Sequence, residues 1–114
     1  MSLAADLLRG YTETIILSGL SLKDSYGYEI NKSITAKSSG ALTLKEATLY
    51  TAFKRLEEAD SIRSYWGDEM SGARRRYYSI TAKGLIELER LRKEWEETKI
   101  LINKLILPEE NNNA

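Results

Sequence analysis

Arg74, Arg75 and Arg76 stand side by side, with Tyr77 and Tyr78 directly after them. Guanidinium groups fork onto phosphate or guanine, so a triplet of them reads as an anion-recognition point. A second group lies upstream at helical spacing: Thr48, Tyr50, Thr51 and Lys54. Lys54 suits a phosphate or a guanine, and Tyr50 and Thr51 suit a phosphate oxygen or a thymine methyl. This chemistry recognises rather than makes or breaks bonds. The sequence contains no Cys and no His, which removes disulfides, thiol redox sensing, His or Cys metal sites and Ser-His-Asp catalysis. No metal, cofactor or catalytic residue is expected. A carboxylate enzyme would need a convergent acidic pair in an apolar setting, whereas the Glu residues fall on solvated helix faces.

The chain has 114 residues, 42% hydrophobic and 30% charged, with 17 basic and 17 acidic side chains. That composition predicts a soluble globular protein with one modest core. Zero net charge argues weakly against a nucleic-acid partner, but the charge is unevenly placed. Residues 43–84 carry eight Lys and Arg against six Asp and Glu, and residues 85–114 carry five against seven. For DNA binding the local balance matters more than the sum. No apolar run approaches the roughly 18 residues of a membrane span. The opening Met-Ser-Leu lacks the basic start of a secretory signal, so no membrane partner and a cytoplasmic location are expected.

The elements that must position these groups follow from periodicity. Leu3, Leu7, Leu8, Tyr11, Ile15, Ile16 and Leu20 predict a first helix from about Ala4 to Ser18. Tyr26, Ile30 and Ile34 predict a second helix near 26–37, ended by Gly40 in a C-cap setting. Thr43 and Glu46 fit a capping box, which predicts a third helix from about Leu44 to Ala59. "SIRSYWG" and "RRRYYSIT" are β-prone and flank "GDEMSGA", which predicts a β-hairpin with a loop longer than two residues. Ala82 to Ile106 reads as one long helix, about 37 Å at roughly 1.5 Å per residue, before Pro108. The expected fold is mainly α with a β-hairpin wing: a winged helix-turn-helix over residues 1–81, a C-terminal dimerisation helix over 82–107 and a disordered tail over 108–114.

On the third helix Leu49, Ala52, Phe53, Leu56 and Ala59 share a face that should enter the core. Ala47, Tyr50, Thr51 and Lys54 point away, with Thr48 on the flank. The bland alternative is a solvated face with one partly packed tyrosine. In the second hairpin strand Tyr78 and Ile80 share the core face, while Arg75 and Tyr77 take the other. The bland alternative there is an edge strand protected by charge from aggregation.

In the last helix Leu88, Leu91, Trp95, Thr98, Ile102 and Leu105 repeat at intervals of 3, 4, 3, 4 and 3, a heptad seam. A seam this long exceeds what one small core covers, so a homodimer is expected, presenting two recognition helices to a palindromic site. The alternative folds the helix back over the first helix in a monomer. Spacing alone reads Trp95 as interface filler, and its indole N–H needs a partner if buried.

"YGYEI" (Tyr26–Ile30), "EATLYTAFKRLEEADSI" (Glu46–Ile62) and "SYWGDEMSGARRRYYSITAKG" (Ser64–Gly84), followed by one long helix, resemble the PadR family of bacterial transcriptional regulators. The resemblance spans about residues 5–100, and the short C-terminal part is similar to the small subfamily that includes regulators of multidrug transporters. It implies a dimeric winged-helix repressor on double-stranded DNA at a palindromic operator. It places Thr48, Tyr50, Lys54, Arg75, Arg76 and Tyr77 on the DNA, beside Thr51 and Arg74 from the helix-face and wing readings, and joins the last and first helices in the dimer. In some small members a Trp at the position of Trp95 faces its mate across a pore that holds a planar aromatic or cationic molecule, and the candidate ligand-binding residues in this chain are Leu7, Thr14, Leu91 and Trp95. The chain departs from a wide slot there, because Leu91 is large and Glu87 and Lys99 flank the site. It also has Asp60-Ser61 where the family often has Gly. The competing function is a winged-helix module for protein partners, with its wing arginines paired to carboxylates such as Asp68 and Glu69.

Overall fold

A computed structural model of the chain describes residues 8–68 and 74–109. A 3-10 turn, Arg9–Tyr11, leads into helix α1, Thr12–Leu20. A short strand β1, Ser25–Tyr26, precedes α2, Gly27–Lys37, and α3, Glu46–Glu58. Strands β2, Ile62–Trp66, and β3, Arg76–Ile80, lead into α4, Ala82–Ile106. The fold is mainly helical with a three-stranded antiparallel sheet in the order β1-β3-β2.

The core is built where these elements converge. Ile16 and Leu17 of α1, Phe53 of α3 and Ile62 of β2 are closed off from solvent, and Tyr78 of β3 stacks on Phe53 with ring centroids 4.0 Å apart. The core face of α3 is Leu49, Ala52, Phe53 and Leu56, as helical spacing predicts. Ala59 is not part of it. It caps the helix and is exposed, because the chain reverses there. Asp60 takes a left-handed φ of 60°, while the Ser61 N–H donates to the Leu56 carbonyl at 2.9 Å and the Asp60 N–H to Glu57 at 3.0 Å. This is a Schellman ending with Asp where Gly is commonest.

The predicted capping box does not form. Helix α3 starts at Glu46, two residues later than Leu44, and no side chain caps it. The reason lies in α2. The Asn31 amide donates to the Leu44 carbonyl at 2.7 Å, and its oxygen accepts the Leu44 N–H at 2.9 Å. This two-point clamp holds Leu44 outside the helix, and the Thr43 hydroxyl pairs with that of Thr35 at 2.7 Å instead of turning inward.

The first helix also differs from expectation. Its α-helical run begins at Thr12, behind the 3-10 turn, and continues to Leu20. Gly10 sits inside that turn, where its low helix propensity favours a break, and the Thr12 hydroxyl donates to the Arg9 carbonyl at 3.1 Å. The expected start at Ala4 lies outside the described residues. The hairpin is likewise larger than predicted. β1 joins it through Ser25 opposite Tyr78 and Tyr26 opposite Tyr77. β3 is therefore the central strand, which overturns the reading of its arginines as protection for an edge.

Helix α4 is anchored by its first turns. Thr81 accepts the Gly84 N–H at 3.0 Å on its side chain, and its own N–H donates to the Ser61 carbonyl at 3.0 Å. Gly84 packs so closely that a Cβ there would overlap the Ser61 carbonyl oxygen. Leu88 enters the core at 1% exposure, and Leu91 packs half-buried on its margin. Arg92 still reaches the Ser18 hydroxyl at 3.1 Å and Trp95 meets Tyr11, but from residue 99 onward every described residue of α4 is exposed, which contributes to overall dimensions of 64 × 31 × 20 Å. No helix among the described residues is long and apolar enough to cross a membrane.

Candidate nucleic-acid interface

Burying Leu49, Ala52, Phe53 and Leu56 forces the other side of α3 outward, and Ala47, Thr48, Tyr50, Thr51 and Lys54 are all exposed. Tyr50 is 46% exposed and is steadied by an edge-to-face contact with Phe53, centroids 5.4 Å apart. One face of α3 therefore offers hydroxyls, a tyrosine ring and a lysine.

The three consecutive arginines do three different things. The Arg74 guanidinium lies over Trp66, 5.5 Å from the ring centroid, and that of Arg75 lies over Tyr26 at 4.8 Å. Arg76 turns to the core side of the sheet, over Tyr78 at 6.0 Å. There it donates to the Ser64 hydroxyl at 2.8 Å and pairs with Glu57 at 3.4 Å, while Ser64 also donates to Glu57 at 2.9 Å. This triangle ties the end of α3 to β2 and β3. Alternation along the extended chain separates Arg75 from Arg76, while Arg74 lies two residues before β3 and reaches Trp66 of the neighbouring strand.

The outer sheet face carries a row of tyrosines, Tyr26, Tyr77 and Tyr65, one from each strand and in register. Tyr77 and Tyr65 stack at 5.6 Å, and Tyr26 meets Tyr77 edge-on at 5.3 Å. The Tyr65 hydroxyl donates to Asp24 at 2.5 Å, and this bond to the carboxylate pushes its pKa up to about 12. On the core side, burial raises the Tyr78 pKa. The pairing of wing arginines with Asp68 and Glu69, which a protein-binding module would show, is not what Arg76 does: its carboxylate is Glu57. Glu69 lies outside the described residues.

The candidate dimer and effector residues sit on α1 and α4. Leu88 departs from the seam reading, because it is closed within the chain's own core and has no surface left for a second subunit. Trp95, Ile102 and Leu105 are 40%, 42% and 73% exposed. The Trp95 ring meets Tyr11 edge-on at 5.3 Å. Thr14 and Leu91 line one polar groove together with Thr48 and Thr51 of α3, beside Glu87 and Arg90. Trp95 does not line that groove, and Leu7 lies outside the described residues. The Arg90 bonds at 2.8 and 3.0 Å hold the Glu87 carboxyl below its usual range.

A family model described as the transcriptional regulator PadR-like family matches residues 16–90. The chain belongs to this family. A transcriptional regulator from Clostridium thermocellum is 49% identical, with a TM-score of 0.83 over 90% of this chain and 96% of that one. A PadR family regulator from Clostridium difficile R20291 is 39% identical, with a TM-score of 0.73 over 84% and 98%. An uncharacterised protein of Lysinibacillus sphaericus is 43% identical over 99 residues, 87% of this chain and 91% of its own length. The PadR-like chain is thus a DNA-binding transcriptional regulator and not an enzyme.

Within this PadR-like frame, sequence reasoning passed over Tyr26, Tyr65 and Trp66, the rings on which the wing is organised. Their aromatic character was visible, but their alignment with Arg74, Arg75 and Tyr77 needs the register of three strands. It also passed over Ile106, which falls beside Ile102 on the α4 stripe and is 72% exposed.

Proposed function

We propose that this regulator is a homodimeric, sequence-specific transcriptional repressor acting on a palindromic operator in the cytoplasm. The single observation that carries the DNA surface is the outward face of α3, with Thr48, Tyr50, Thr51 and Lys54, flanked by Arg74, Arg75 and Tyr77 of the wing. Helix α3 enters the major groove, and the wing holds the adjacent phosphates. Bases are read by α3, and Arg75 supplies a sequence-independent charge contact. The stripe that runs from half-buried Leu91 to exposed Ile102 and Leu105 on α4 supports a twofold partner, which would space two α3 helices along one face of the duplex.

The test is binding to a duplex selected from random sequence, followed across salt concentration. Lys54→Ala and Arg75→Ala should each weaken binding, and loss of one phosphate contact should lower the salt slope by about one. Tyr50→Ala should cost more on the selected site than on random DNA. Unchanged affinity and slope in all three variants would move the DNA surface elsewhere.

Repression is relieved, in this reading, by a planar aromatic or cationic molecule stacking on Trp95 between subunits. The support is an indole 40% exposed and held edge-on by Tyr11. In a Trp66→Phe background, planar cations should quench Trp95 emission with saturation, a stacking gain on the order of 0.5–1.5 kcal/mol. Leu91→Ala should strengthen the effect by widening the slot. Quenching that never saturates, together with an inert Leu91→Ala, leaves Trp95 as interface filler.

A further inference from the structure

Tyr26 and Gly27 open the "YGYEI" stretch, and neither belongs to the DNA-facing set. Tyr26 ends β1 and Gly27 begins α2. The Arg75 guanidinium sits over the Tyr26 ring, 4.8 Å from its centroid, while Tyr77 abuts the same ring edge-on at 5.3 Å. In the first turn of α2, Glu29 accepts a 2.5 Å bond from the Ser25 hydroxyl and pairs with Lys23 at 3.5 Å. Its carboxyl is held below its ordinary range by the Ser25 bond first, then by Lys23 and Arg75. Arg75 is thus placed by the face of the Tyr26 ring, on the side of the sheet toward which Glu29 is fixed.

The adjacent residue does the same for the other contact element. A Cβ on Gly27 would lie 2.7 Å from the Tyr50 hydroxyl oxygen and 3.3 Å from its Cζ. A methyl group cannot occupy that position while Tyr50 stays in place. The obstructing atoms are the far end of a side chain rather than backbone, so an alanine moves Tyr50 instead of breaking α2. Leu49, at 3.5 Å, is in ordinary contact.

We infer that Tyr26-Gly27 is a positioning corner: Tyr26 seats the wing arginine Arg75, and Gly27 leaves room for the recognition-helix residue Tyr50. One dipeptide thereby sets the base-reading and phosphate-binding side chains relative to each other. This rests on the proposed DNA surface.

The two halves carry different signatures in the selected-duplex assay. Gly27→Ala should lower affinity for the selected site about fivefold, the low end of losing a base contact. It should leave the salt slope and the melting temperature close to those of the parent, and it should have no further effect in a Tyr50→Ala background. Tyr26→Leu should weaken binding about two- to fivefold, as expected for an exposed cation–π contact, and should lower the salt slope as Arg75→Ala does. Tyr26→Phe, which keeps the ring, should restore both. The inference is overturned if Gly27→Ala and Tyr50→Ala act additively, or if Tyr26→Leu leaves the slope untouched. If Tyr26→Leu fails to fold, the Gly27 and Tyr50 double-mutant cycle decides alone. Failure of the DNA surface itself looks different: Tyr50→Ala and Arg75→Ala would then have no effect, which sinks both readings.

Discussion

The wing corner and the outer half of α4 both expose large side chains, but they hold them in opposite ways. At the corner, Tyr26, Tyr65, Tyr77, Trp66 and the three arginines are fixed by one another, by Asp24 and by Glu57. On α4, Ile102, Leu105 and Ile106 stand 42%, 73% and 72% exposed. A surface whose rotamers are already restrained gives up less entropy on binding a rigid partner such as a duplex. A bare apolar stripe gains from any cover that removes it from water. The corner is therefore finished within one chain, and the stripe is left uncovered by it.

Substitutions within α4 separate these two regimes most strongly. Leu88→Ala leaves a cavity in the chain's own core and should cost about 2–5 kcal/mol of folding stability, read from denaturant melts. Ile102→Glu combined with Leu105→Glu should leave the folded chain intact, because neither side chain is in the core. It should shift the sedimenting species from dimer to monomer, since an unpaired buried carboxylate is strongly unfavourable. A full dimer in that variant would show that the stripe is covered by something other than its own copy.

A smaller effect is expected where α3 ends. Asp60 occupies a left-handed position, so Asp60→Gly should stabilise the fold by about 1 kcal/mol, relieving a conformation disfavoured for side-chain-bearing residues. The Thr81 hydroxyl bond to the Asp60 carbonyl, 2.6 Å, uses backbone and survives the change. Destabilisation instead would mean that the Asp60 carboxylate makes a contribution that outweighs its φ.

The smallest effect concerns the corner's acid response. The folded-state pKa of Glu29 is lowered, so the stability it contributes is present above the ordinary carboxylate pKa of 4.5 and is lost as pH falls through the folded value. Thermal melts of the parent should therefore lose ground to Glu29→Gln as pH drops below about 4.5. Parallel curves for the two would remove Glu29 from the corner's stabilising groups.

What the residues revealed in advance follows from how local each feature is. The core face of α3 was legible because a 3.6-residue period shows within one helix. The hairpin was legible from two β-prone runs around a glycine-rich loop. β1 was not, since two residues cannot display a two-residue alternation, and its pairing depends on Tyr77 and Tyr78 far along the chain. The capping box looked right at Thr43 and Glu46, but Asn31 competes for Leu44 from another helix. Leu88 fits the heptad as well as Ile102 does, and spacing cannot say that one is covered by its own chain. The outward positions on α3 were legible as the remainder of its core face, whereas the separate placements of Arg74, Arg75 and Arg76 require knowing that Glu57, Tyr26 and Trp66 surround them.

The anchoring of α4 at Thr81, Gly84 and Leu88 makes the rest of the helix a lever arm. With about 1.5 Å of rise per residue, a tilt of about 5° at Leu88 moves the Ile106 end by about 2 Å. In the proposed dimer the two arms are joined, so the same tilt swings the two DNA-binding heads. Successive major grooves on one face of a duplex recur about every 34 Å, and both α3 helices fit them only within a narrow angular range. A molecule wedged beside Trp95, partway along the arm, would need to change that angle by only a few degrees to bring the heads out of phase with the duplex.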